Sequence, residues 1–83
     1  MITQIKLSKI LYDYDTMSTH CKFYKSYKEY DAEAKEIIEL VSSGVPFKYA
    51  YISVMTHFFW EDWVLNSMDT FKFIELEYYN HRG

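Results

Sequence analysis

The sequence predicts an all-α fold, a compact bundle of three or four helices in which short strands are considered only at the chain ends. Three observations carry this expectation. Apolar residues recur at spacings of three and four through most of the chain. Gly44 and Pro46 sit between periodic segments and not inside them. The 83 residues leave room for one core, so residues 1–83 are read as a single domain. Hydrophobic residues make up 49% of the chain and aromatics 20%. Each large ring can bury about 150–250 Å², which gives a small domain the core it otherwise lacks.

The first segment, Thr3 to Tyr14, places Leu7, Ile10, Leu11 and Tyr14 on one face, with Thr3 as the cap. A strand through Ile5 and Leu7 is the competing reading. Asp13, Asp15, Thr16 and Ser18 then read as a turn.

The strongest periodicity lies between His20 and Val41, where Phe23, Tyr27, Tyr30, Ala34, Ile37 and Val41 form one stripe. Ser18 or Thr19 is expected to cap this helix and Gly44 to close it. Lys25–Glu29 and Asp31–Lys35 are i,i+4 pairs on its outer faces.

Pro46 suits the first turn of a helix that is expected to run to Asn66. Phe47, Tyr51, Val54, Phe58 and Leu65 would share one face, and Ile52, Met55, Phe59 and Trp63 a second. A helix that is apolar on two sides must be central or lie at an interface. Ser67 or Asp69 is expected to start a last helix through Tyr79, with Phe71, Ile74 and Tyr78 on one face. The run Ile74-Glu75-Leu76-Glu77-Tyr78 also alternates as a strand would. Asn80 to Gly83 reads as a frayed end.

Composition narrows the function classes. No stretch of about 18 apolar residues exists, so no transmembrane helix or membrane partner is expected. Lys6 and Lys9 interrupt the apolar residues near the start, against a secretory signal. A single cysteine, Cys21, excludes an internal disulfide framework and points to the cytoplasm. Scarce Gly, Pro, Ala and Arg beside abundant Lys, Ile, Tyr and Phe indicate an AT-rich genome, such as that of a low-GC bacterium or its phage. Net charge is −3 and unevenly spread. The lysines cluster before residue 29 and the carboxylates after it, a polarity that can steer a partner.

Ile37 to Lys48 resembles the first helix and turn of transposase-type and resolvase-type DNA-binding domains. That resemblance implies a recognition element in which this chain carries Phe58, Phe59, Trp60, Glu61, Asp62 and Trp63. With no Lys or Arg there, the element would repel a phosphate backbone. Lys22, Lys25 and Lys28 interleave with Tyr24 and Tyr27 in the pattern of a single-strand-binding surface, although Tyr27 belongs to the core stripe. Conversely, Glu29, Glu33 and Glu36, flanked by Asp31 and Glu39, form an acidic edge able to stand in for phosphates.

Catalytic material is thin, and the chain is read as a non-enzyme with no cofactor and no metal. His57 and Glu61 share i,i+4 spacing, but no second pair completes a site, and His57 is read as an edge-of-core residue. His20 and Cys21 are adjacent and cannot face each other on a helix.

Phe58, Phe59, Trp60 and Trp63 cannot all be hidden on one side of a helix. At least one large ring is therefore expected at the surface, and Trp and Tyr are the residues that dominate binding energy at protein interfaces. The expectation is a small acidic protein-binding module that modulates or inhibits a partner. Its kind resembles phage-encoded inhibitors of host defence, the anti-CRISPR proteins included. The expected contacts are Trp60, Trp63, Phe59 and Tyr24 with Glu29, Glu33 and Glu36, against another protein such as a nucleic-acid-handling host complex. A nucleic acid ranks below a protein as partner, and a homodimer or oligomeric assembly protein is the remaining alternative.

Overall fold

The computed structural model describes residues 2–15 and 30–81. The described residues form five helices and no strand: α1 (Gln4–Tyr14), α2 (Asp31–Ser42), α3 (Phe47–Phe58), α4 (Glu61–Asn66) and α5 (Met68–His81). The all-α expectation holds, with five helices among the described residues where three or four were expected. No helix among them is long and apolar enough to cross a membrane.

In α1, Thr3 is extended and its Oγ1 accepts the Lys6 N–H at 3.2 Å, capping the first turn. The periodic residues Leu7, Ile10 and Leu11 are buried, and the alternative strand does not form. Tyr14 lies near the surface and stacks on Phe73 of α5, with ring centroids 6.2 Å apart. Asp15 ends the helix in the left-handed conformation, φ 43° and ψ 54°, and its N–H donates to the Leu11 carbonyl at 2.8 Å. The local polar side chain of Asp makes this conformation cheaper than for most residues.

The second helix departs from expectation at its start. Tyr30 sits in a turn, and the helix begins at Asp31. The part of the expected helix from His20 to Glu29, its caps Ser18 and Thr19, and the Lys25–Glu29 pair lie outside the described residues. Two hydrogen bonds explain why the helix starts where it does. The buried Tyr30 hydroxyl donates to Asp15 Oδ1 at 2.6 Å, and Ser8 Oγ donates to Asp31 Oδ1 at 2.5 Å. Gln4 Nε2 adds a bond to the Asp31 carbonyl at 3.2 Å. These contacts fix the entry to α2 against α1. They also take up the Asp31 carboxylate, which does not pair with Lys35 as its spacing suggests.

Downstream, Tyr30, Ala34 and Ile37 are fully buried, as the stripe requires. Gly44 has φ 107° and closes α2. The Gly44 N–H donates to the Val41 carbonyl at 3.0 Å and the Val45 N–H to the Leu40 carbonyl at 3.1 Å, which is a Schellman closure. Leu40 and Val45, the apolar pair of that motif, both pack against the core. Pro46, one residue earlier than expected for the first turn, then precedes α3, which folds back along α2.

The single helix expected from Pro46 to Asn66 is broken. Phe59 (φ −132°, ψ 174°) and Trp60 (φ −70°, ψ 137°) are extended, and the chain restarts as α4. Bulky aromatic residues are poor helix formers, and a straight continuation would leave both apolar faces unburied. After the break, Val64 is the buried residue of α4, while Phe58 and Leu65, expected on the core face, are exposed. Glu61 and Asp62 place negative charge at the N-terminus of this short helix, where the peptide dipoles favour it.

The last helix joins the core through rings. Phe71, Ile74 and Tyr78 are buried as the spacing predicts, and the helical reading of 74–78 is the correct one. Tyr78 lies face to face with Phe47 at 3.9 Å between centroids, with planes 7° apart. Phe71 stacks on Phe47 at 5.7 Å and tilts onto Tyr51 at 4.6 Å. The helix extends to His81, past the expected end at Tyr79.

Two stability effects follow. No atom lies within 4 Å of a Cβ added at Gly44, so Gly44→Ala pays for its backbone angle alone. Urea denaturation should show a loss of about 1–2 kcal/mol, and Gly44→Asn a smaller one. Tyr30→Phe keeps the buried ring but removes the hydroxyl that donates to Asp15, and should lower the unfolding free energy by about 1.5–3 kcal/mol, the range for hydrogen bonds to charged groups.

Candidate functional site

The break between α3 and α4 builds a corner whose rings face outward. Trp60 precedes α4 with extended backbone, so its side chain does not follow the helical phase, and it is 81% exposed. Trp63, in the first turn of α4, lies to one side of buried Val64 and is 50% exposed. Phe58 and Leu65 are exposed beside them in sequence. Phe59 behaves differently. It is half-buried and packs against the core, anchoring the corner more than furnishing its surface.

The acidic residues separate in the same way. Glu33 is only 5% exposed, so the expected acidic edge is interrupted, and Glu33 is not available as a surface contact. The reason is that α2 is flanked by both α1 and α3, which widens its buried arc beyond the Tyr30–Ala34–Ile37 stripe. Glu36 is half-exposed and Glu39 exposed. Tyr24 and Glu29 lie outside the described residues, as do Lys22, Lys25 and Lys28.

Glu36 and Glu39 open onto a groove between α2 and α3. The groove has a volume of about 310 Å³ and is lined by Glu36, Glu39, Leu40, Ser53, Val54 and His57. The His57 ring lies edge-on to Phe58 at 5.4 Å, and the groove lining ends at His57, three residues before Trp60 in the chain. His57 is exposed, not at the edge of the core as expected. The helix break also falls between His57 and Glu61, which removes the i,i+4 face that their spacing suggests. No group of three or more His, Cys, Asp or Glu residues able to hold a metal ion occurs among the described residues.

The N-terminal lysines have a mixed setting. Lys9 Nζ bonds Asp13 Oδ2 at 2.9 Å, and this hydrogen bond, with the charge of Asp13 and a lesser contribution from Glu77, holds the ammonium above its ordinary range. Lys6, Lys9, Asp13 and Glu77 line one shallow cavity of about 260 Å³ with Ile10. Lys9 is already paired with Asp13 there, which weakens any phosphate-binding use of that cation.

Sequence reasoning missed a second apolar surface. Phe73 and Leu76 are exposed on the side of α5 opposite Phe71, Ile74 and Tyr78, and Ile5 is exposed on α1. The signal was present in the Ile74-to-Tyr78 alternation. If that run is helical, Leu76 must point away from Ile74 and Tyr78.

No protein-family model matches the chain, and neither the curated proteins nor the solved structures yield a match.

The exposures of the two indoles are directly measurable, because Trp60 and Trp63 are the only tryptophans in the chain. Acrylamide should quench most of the intrinsic fluorescence, and Trp60→Phe should remove the more accessible component. The same substitution should leave the melting free energy within about 0.5 kcal/mol, as for other exposed positions.

Proposed function

We propose that this chain is a small acidic protein-binding module that modulates or inhibits a partner macromolecule through the Trp60–Trp63 corner. The observation that carries the reading is the exposure of both tryptophans at one helix break, 81% and 50%. Large indole surfaces left in water are costly to a small domain, and at protein interfaces Trp is among the residues whose truncation costs most. The balanced charge around Lys6 and Lys9 weighs against the nucleic-acid-binding alternative among the described residues. The setting we propose is the cytoplasm of a bacterial cell, with a phage-encoded inhibitor of host defence, of the anti-CRISPR kind, as the role. Size, acidity, the lone cysteine and AT-rich composition support that setting.

The test is capture of partners from bacterial lysate with the tagged chain, with and without nuclease, beside Trp60→Ala and Trp63→Ala. One protein recovered in near-equal amount, indifferent to nuclease and lost from either variant while circular dichroism is unchanged, is the expected result. Recovery that disappears with nuclease overturns the reading in favour of a nucleic-acid binder. A mass that rises with concentration, with no foreign protein recovered, overturns it in favour of self-assembly.

A further inference from the structure

Among the described residues, the formal charges of the corner segment and of the groove lining are all negative. Between Lys48 and Lys72 the chain has no Lys or Arg, and this stretch contains all of α4, both tryptophans, Glu61, Asp62 and Asp69. The groove between α2 and α3, which ends at His57, adds Glu36 and Glu39 and no Lys or Arg. None of Glu36, Glu39, Glu61 or Asp62 makes an ion pair or side-chain hydrogen bond within the described residues.

Helix electrostatics explains only part of this. Glu61 and Asp62 lie in the first turn of α4, where negative charge is favourable. Glu39 lies in the last turn of α2, which contains no basic residue. There a carboxylate faces the negative end of the helix dipole and lowers the stability of its own helix.

We infer that the occupant of this surface is a basic, arginine-bearing face of a partner protein, a face of the kind that otherwise holds nucleic-acid phosphate. The inference rests on the protein-binding reading above and names the chemistry of the partner. Planar guanidinium groups stack on indole faces, and they pair with carboxylates in a bidentate manner that an ammonium cannot match. Trp60 and Trp63 supply the faces. Glu36 and Glu39 supply the carboxylates, at a groove large enough for one arginine side chain, with Leu40 and Val54 to cover its methylenes. Such an occupant would be held in competition with nucleic acid, because both compete for the same arginines.

The probe is an oligo-arginine peptide titrated into the full chain, read by the fluorescence of Trp60 and Trp63, beside oligo-lysine, oligo-glutamate and a short single-stranded oligonucleotide. The expected result is a saturable change with oligo-arginine, weaker binding of oligo-lysine, none of oligo-glutamate or oligonucleotide, and loss of affinity as salt rises. The double variant Glu36→Gln/Glu39→Gln leaves α4 untouched, and Glu39→Gln relieves an unfavourable helix-end charge, so the variant should fold. It should weaken oligo-arginine by about tenfold or more, the loss of at least one charge-assisted contact. Equal binding of oligo-arginine by the variant and the parent chain overturns the inference, as does fluorescence-detected binding of the oligonucleotide.

The two readings fail separately. If oligo-arginine does not bind while a captured protein is still lost on Trp60→Ala, the basic partner is wrong and the binding corner stands. If capture is indifferent to Trp60 and Trp63, the corner itself is wrong.

Discussion

The fold turns on the ring stack that ties the last helix back to the start of α3. Phe47 meets Tyr78 at 3.9 Å and Phe71 at 5.7 Å, and Phe71 meets Tyr51 at 4.6 Å. An α-helix rises about 1.5 Å per residue, so a straight helix from Phe47 to Asn66 would carry the chain about 30 Å from Phe47. The chain must instead reverse within a few residues of Phe58 to bring Phe71 and Tyr78 of α5 back to Phe47. The extended pair Phe59–Trp60 provides that reversal. Phe59 turns inward as its anchor and Trp60 is left outside. The exposed tryptophan corner is thus a geometric consequence of closing the core.

A second constraint acts at the other end. Tyr30 and Asp15, joined by a 2.6 Å hydrogen bond, bracket residues 16–29 in the chain. Ser8 and Gln4 hold Asp31 against α1. The entry to α2 is therefore set by polar contacts with α1 and its left-handed cap. The exit is set by the Gly44 closure, which aims α3 back along α2 and creates the groove between Glu36 and His57. Both ends of α2 must be fixed for the groove to exist.

This division explains what could be read in the sequence. Leu7, Ile10 and Leu11, then Tyr30, Ala34 and Ile37, then Phe71, Ile74 and Tyr78 are buried as their spacing indicates, because helical phase is a local property. The Thr3 cap and the Gly44 closure were equally legible, each being a single residue with a stereochemical preference. The break at Phe59–Trp60 was not, because periodicity cannot register that α5 must return to Phe47. The burial of Glu33 was hidden for a similar reason, since it depends on α2 having two neighbours. That not every ring of 58–63 can be buried did follow from spacing alone; which rings lie outside, Trp60, Trp63 and Phe58, required the tertiary fold. The sequence placed His57 and Glu61 on one face only because it assumed a helix that the core does not permit.

Two of the exposed apolar surfaces among the described residues differ in their surroundings. Phe73, stacked on Tyr14, lies on the helix pair that also carries Lys9, Asp13 and Glu77, where opposite charges offset one another. The stretch that holds the tryptophan corner, between Lys48 and Lys72, carries Glu61, Asp62 and Asp69 and no Lys or Arg. A domain of this size has a total stability of about 4–12 kcal/mol, and burying one large apolar side chain is worth about 1.5–3 kcal/mol. Leaving two indoles in water, and setting Glu39 at the wrong end of its helix, therefore forgoes a sizeable share of what holds the chain folded. Residues that break local rules without a compensating contact inside the fold are expected where a molecule meets something else. On the reading proposed above, the partner would be flat enough to stack on indole and positive enough to neutralise the carboxylates of Glu36 and Glu39.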